Sequence, residues 1–257
     1  MGLSTVGGRT DPWSEWARAV LVMSTGDLCA AFDILEPLAK SDDREIAGLA
    51  CARIASGLRQ IDEHDAAVGW DEKAMAAEGQ AVLDGIIGRA ADQVGAGDAA
   101  GAARFLAQAQ PRCRTMRDDV RVAWVACEIG LLKGQYRVAA AHGERAHKVS
   151  VAMGSPRHVV KSMLFWAAAD HAAAAAVEPA ASNDPFFALL HRGYARARAL
   201  SLRPLLWPMV AILGDDASAE QRQVAGHAVA FIGDHLPPGR GLRWSDRRDI
   251  TALRRGV

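Results

Sequence analysis

At 257 residues, half of them apolar and 23% charged, the chain is long enough to bury a sizeable core, which excludes disorder for most of its length. Thirty Lys and Arg balance thirty Asp and Glu, so net charge gives no general attraction to nucleic acid or anionic membrane. Only two Tyr and six Phe are present amid abundant Ala, and Ala favours helix where strands favour aromatic and β-branched residues.

Residues 1–10 read as a flexible N-terminus without the apolar run of a signal peptide, and Val6 stands where a myristoylation motif takes Ser or Thr. Asp11-Pro12 is a helix start, with Asp11 as cap and Pro12 in the first turn. Trp13, Trp16, Ala17, Val20 and Leu21 then follow the 3.6-residue period. Gly26 is placed to stop that helix in the left-handed conformation and Asp27 to cap the next. In the following unit Ala47, Cys51, Ile54, Ala55 and Leu58 form the apolar stripe, while Leu49 lies off it, on the side of Arg53, Ser56 and Gln60. Val120, Trp124, Cys127 and Leu131 form the corresponding stripe further on. Cys29, Cys51, Cys113 and Cys127 have neither CxxC nor zinc-ligand spacing and read as small buried hydrophobes in a reducing cytosol.

These units repeat. Segments beginning at Gly26, Asp62, Gly97 and Gly134 align without gaps, their starts 36, 35 and 37 residues apart. Five places after each start stands a small residue: Ala31, Ala67, Ala102 and Ala139. Two helical turns later, on the same face, come Leu38, Ala74, Ala109 and Ala146. The connections are so short that successive helices must be antiparallel neighbours. The run Gly-Asp-x-x-x-Ala-x-x-x-Leu, at Gly26 to Leu35 and again at Gly97 to Leu106, resembles the turn and second helix of a tetratricopeptide repeat. Asp62 to Asp71 and Gly134 to Gly143 are degenerate copies. The resemblance implies an all-α solenoid of about 10–12 helices, tetratricopeptide-like over residues 11–150.

Residues 151–236 read as further hairpins of the same stack. Ser155-Pro156 opens a helix bearing Val159, Val160, Met163, Leu164 and Ala167, and Glu178 to Asp184 is a linker. Phe186 to Leu200 is helical. Its end, Ala197 to Leu205, is similar to repeat-helix ends in large actinobacterial transcriptional activators. A final pair at 204–213 and 217–235 takes its turn from Asp215-Asp216 and its cap from Ser218. Residues 237–257 form a basic tail, six Arg against two Asp, read either as solvated or locally packed, or as an electrostatic contact for an acidic partner or nucleic acid.

Chemistry-bearing motifs are missing: there is no GxGxxG, GxxxxGK[ST], HExxH or GxSxG. Asp42-Asp43-Arg44-Glu45 and Arg117-Asp118-Asp119 lack the third carboxylate of DDxxD and read as charge at helix N-termini. His142 and His147 fall on different helix faces, and His171 reads as a core histidine. No catalytic residue, metal or cofactor is expected.

The resemblance further implies that first helices line a concave surface. By register, its inner residues are Arg53, Ser56, Arg59 and Gln60 in the second repeat, and Arg121, Trp124, Glu128 and Leu131 in the fourth. Trp13, Trp16 and Val20 are the inner residues of the first. The tryptophans read either as interface anchors beside Arg or as core packing. The family's carboxylate clamp takes Lys, Asn and Arg, whereas this set offers Arg53 without an Asn. The expectation is a cytoplasmic, non-catalytic module binding a protein or peptide on the concave face, with self-association into a homo-oligomer left open. The alternative is a transcription-related regulator sensing a small molecule in that groove, and an all-α enzyme comes third. No helix-turn-helix stands out and no apolar stretch is long enough to span a membrane, so neither DNA nor a bilayer is an expected partner.

Overall fold

The computed structural model describes residues 11–176, 185–241 and Trp244. Among them are twelve α-helices and no strand. In chain order they are α1 (Pro12–Ser24), α2 (Leu28–Leu38), α3 (Arg44–Gln60), α4 (His64–Met75), α5 (Gly79–Gly95), α6 (Ala99–Ala109), α7 (Met116–Leu132), α8 (Tyr136–Ala152), α9 (Pro156–Ala175), α10 (Pro185–Ala199), α11 (Arg203–Leu213) and α12 (Ala219–Asp234). Short 3-10 turns at Gln110–Arg112 and Gly214–Asp216 follow α6 and α11. The Glu178 to Asp184 linker and most of the basic tail lie outside the described residues. No described helix is long and apolar enough to cross a membrane.

Local chemistry sets the helix ends. Asp11, Asp27 and Asp98 accept from the backbone N–H of Ser14, Ala30 and Gly101 at 3.0, 2.9 and 2.8 Å, and capping boxes start α7 (Thr115 with Asp118) and α12 (Ser218 with Gln221). Three of the four aligned turns place glycine in the left-handed region, Gly26, Gly97 and Gly134 at φ 94°, 75° and 66°. The remaining turn places Asp62 there at 66°, a conformation Asp tolerates better than most residues.

Consecutive helices pack as antiparallel hairpins, and each odd-numbered helix also packs on the next odd-numbered one from α1 to α11. The arrangement is an all-α helical-repeat solenoid with first helices inside. The periodic small residues are the packing points: Ala31, Ala67, Ala102, Ala139, Ala74, Ala109 and Ala146 are fully buried, and Leu38 is half-buried. At Gly130 of α7 an added Cβ would come within 2.9 Å of Ala139 Cβ on α8, so the two helices meet almost backbone to backbone. The four cysteines are free thiols, and burial pushes Cys127 up to about 12.

Two features depart from the sequence expectation. In α1 the buried residues are Ala19 and Met23, while Ala17 is exposed and Trp13 and Leu21 are 43% and 68% exposed. The predicted stripe fails because α1 opens the stack, and among the described residues no earlier hairpin covers that side. The stack also closes on itself. Val229 and Ile232 of α12, together with Trp244, join Ala19, Met23, Leu28 and Phe32 in one core. The Cys29 N–H donates to the His235 carbonyl at 2.8 Å, and Arg203 Nη1 donates to the Thr25 carbonyl at 3.1 Å. The end of the last hairpin thus seats on the turn of the first.

Candidate functional site

The inner helices carry a ladder of residues in fixed register, polar at every place but Leu49. Second positions of α3, α5, α7 and α9 hold Glu45, Gln80, Arg117 and Arg157; sixth positions hold Leu49, Asp84, Arg121 and Lys161. Positions four apart share a helix face, so the solenoid brings these side chains together with Arg53, Arg59 and Glu128.

Two networks account for most of the acids. In the first, Arg59 Nη1 donates to the buried carboxylates of Asp71 and Asp92, the latter at 3.0 Å. Arg89 supports Asp92 at 3.5 Å. Asp71 reaches in from α4 and lies over Gly88 of α5, where a Cβ would overlap its carboxylate. Burial drives Asp71 up to about 7 despite the pull of Arg59. For Asp92 burial also acts upward, but the neighbouring His64, Arg59 and Arg89 outweigh it and hold the carboxyl below its usual range.

In the second network Arg117 grips Asp84 with both terminal nitrogens, at 3.0 and 2.7 Å, and Arg121 pairs with the same carboxylate. Gln80 Nε2 donates to Asp84 and Asp118 at 3.1 and 2.9 Å. Burial would raise Asp84, yet the two guanidiniums hold it far below the usual carboxylate range.

What remains is cationic. Among the described residues no carboxylate lies within ion-pair distance of Arg53, Arg157 or Lys161. The Nε atoms of Arg53 and Arg157 are buried and have no hydrogen-bond partner among the described residues. Burial, reinforced by Arg117, Arg157 and Arg121, lowers Arg53 to about 9, and burial with Arg157 lowers Lys161 to about 7 although Glu128 pulls the other way.

An aromatic shelf flanks these charges. Trp124 is buried, its Nε1 donating to Ser162 Oγ at 2.9 Å. Lys161 Nζ lies 4.5 Å from the Trp124 ring centroid, and His158 stacks on the same ring at a centroid distance of 5.4 Å. The Arg53 guanidinium stands 5.8 Å from the half-buried Trp16 ring.

Of the residues expected to line the groove, Arg53, Arg121, Trp124 and Glu128 fall in one group with Lys161 and Arg157, whose charges act on one another. Arg59 is committed to Asp71 and Asp92. The Gln60 amide turns back to the Ser56 carbonyl at 3.4 Å, and Ser56 is half-buried. Sequence reasoning missed Asp84, Arg117, Arg157 and Lys161. A signal for Asp84 was present: it stands thirteen residues before Gly97, as Arg121 stands thirteen before Gly134.

The arrangement presents N–H donors and positive charge, which suits anions. Among the described residues no three His, Cys, Asp or Glu side chains are grouped to hold a metal ion. A scan against protein-family models gives no match, and a search of curated proteins gives none either.

Proposed function

We propose that this chain is a non-catalytic binding module that takes an acidic segment of a partner protein on its inner face. One observation carries the reading: Arg53, Arg157 and Lys161 are half-buried with no carboxylate within ion-pair distance among the described residues, Asp84 and Glu128 acting on Arg53 and Lys161 only from further off. Half-buried cations without a close counter-ion cost stability, and such a cost persists where a partner's anions offset it. Lys161 over Trp124 adds the cation and aromatic combination that anchors interfaces. The group's residues belong to the odd-numbered helices α3, α7 and α9, which supports the reading because solenoids receive extended segments on one helix layer.

Fluorescence anisotropy with the full chain tests this. A labelled Glu-rich peptide is expected to bind with an affinity that falls as salt rises, a Lys-rich peptide of equal length is not, and Arg53→Glu and Arg157→Glu each abolish the signal. Equal binding of both peptides, or unchanged affinity in the two variants, overturns the reading.

A further inference from the structure

We infer that Arg53, Arg117, Arg121 and Arg157 form a binding site for a phosphate monoester, whose oxygens accept from the guanidinium groups of Arg53 and Arg157 once these turn their unmet donors toward it. The inference rests on the inner-face reading above and narrows it from acidic groups in general to a dianion.

Charge balance favours a dianion. Arg117, Arg121 and Arg157 all act on Arg53; the carboxylates beside them are Asp84 and, 3.8 Å from Arg117, Asp118, while Asp71 acts on Arg121 but is paired with Arg59. Both Asp84 oxygens are already taken by Arg117, Arg121 and Gln80. Four guanidiniums facing the carboxylates of Asp84 and Asp118 leave an excess that a single added carboxylate removes only in part. A phosphate monoester brings about −1.5 to −2 charges and three strong acceptor oxygens.

Donor geometry points the same way. Buried N–H groups without an acceptor are rare because each costs a desolvation penalty. Here two of them, Arg53 Nε and Arg157 Nε, come from α3 and α9, and both belong to planar forks suited to phosphate. Arg117 and Arg121 hold fixed positions through Asp84, so that part of the site is organised before any ligand arrives.

Position in the helices adds to both. Arg117 and Arg157 are the second residues of α7 and α9, at the positive end of each helix dipole, where a cation is disfavoured and an anion favoured. Helix α7 has a capping box. In α9, by contrast, Ser155 makes no side-chain cap bond; its Oγ pairs with His158 Nδ1 at 2.7 Å. The first turn of α9 therefore keeps its attraction for an external acceptor.

The test uses the full chain at pH 7.5 and constant ionic strength. Inorganic phosphate is expected to raise the melting temperature and to broaden its own 31P resonance on addition of protein, whereas acetate leaves the melting temperature unchanged. Arg53→Gln and Arg157→Gln, which remove charge without adding bulk, are each expected to weaken phosphate binding about tenfold or more. The 31P measurement on the unmodified chain keeps the test decisive where a variant folds poorly. Equal effects of acetate and phosphate, no 31P broadening, or full binding by the double variant overturn the site.

Two further arms identify the source. Displacement of phosphate by a phosphoserine peptide, about tenfold more tightly than by the same peptide with Glu, assigns the group to a modified protein segment. Displacement by glycerol 3-phosphate alone assigns it to a small metabolite; the site then stands while the acidic-segment reading falls. Binding of the Glu peptide with no phosphate effect does the reverse: the acidic-segment reading stands and the phosphate site falls.

Discussion

Arg117 and Asp84 meet as a two-pronged ion pair between α7 and α5, 33 residues apart in the chain. The Asp84 side chain is 3% exposed and also receives Arg121, so its removal strands two guanidiniums. Asp84→Asn is expected to cost about 3–5 kcal/mol, the usual effect of breaking a buried pair from one side, as read by urea unfolding at pH 7. Acid provides an independent handle. Asp84 is held far below its unfolded value, so its stabilisation is complete above about pH 4 and is lost as pH falls below that. The gap between the unmodified chain and the variant should therefore narrow from about pH 4 toward about pH 2. A gap that widens there would show that Asp84 is not the stabilising carboxylate.

Gly88 tests the other network. In an exposed helix interior Gly→Ala gains up to about 1 kcal/mol. Here the new Cβ overlaps the Asp71 carboxylate, which is buried and paired with Arg59. Gly88→Ala is expected to destabilise by about 1–3 kcal/mol, as overpacking does. Asp71→Ala in the same chain should relieve the overlap, giving a coupling of at least about 0.5 kcal/mol in a double-mutant cycle. A stabilising Gly88→Ala sinks this account.

His158 reports on the cationic group. Burial, then Arg157, Arg117, Lys161 and Arg121, lower it to about 3, below the unfolded value near about 6.5. The folded chain therefore binds fewer protons between those limits. The stability that depends on a neutral ring is present above about pH 6.5 and is lost as pH falls toward about 3. An NMR titration should find the His158 ring still neutral at about pH 5, and His158→Gln should flatten stability between about pH 6.5 and 4. Saturating phosphate should raise the ring's pKa by supplying the missing negative charge. A ring that titrates near about 6.5 without ligand contradicts the crowding of cations around it.

Helix ends and packing points were legible in the sequence because local chemistry decides them. Asp27, Asp98 and Ser218 cap within three residues of themselves, and Gly26, Gly97 and Gly134 answer a left-handed turn. Ala31 and its equivalents answer a close helix contact. Inner-face partners were less legible because pairings such as Arg59 with Asp92, 33 residues away, depend on how far each hairpin rotates on the last. Register points to Arg53 and Arg121, and the same frame applied to the third unit falls on Asp84, an acid where its neighbours carry bases. Arg157 and Lys161 lie past the last clear repeat, yet they occupy the helix positions that Arg117 and Arg121 hold one hairpin earlier. The stripe expected in α1 assumed cover over Trp13, Ala17 and Leu21, and among the described residues that side stays exposed.

The seam between the last hairpin and the first is open to a direct test. A solenoid ordinarily couples only adjacent units, so its ends fray independently. Here Ile232 of α12 lies against Gly26: a Cβ on that glycine, itself at φ 94°, would approach Ile232 Cγ1 to 2.8 Å. Ile232 is 3% exposed, in the core that also holds Met23, Leu28 and Trp244. Ile232→Ser removes that packing and buries a hydroxyl, so a loss of about 2–5 kcal/mol is expected in the coupled unfolding transition. The site-specific reporter is the Cys29 amide, whose acceptor is the His235 carbonyl. If the seam opens first, hydrogen exchange at Cys29 accelerates in the variant while amides in the middle of α5 and α7 keep their protection. Uniform acceleration through α5 and α7 would mean that the substitution lowers global stability without freeing the seam, and the last hairpin would then be an ordinary end of the stack.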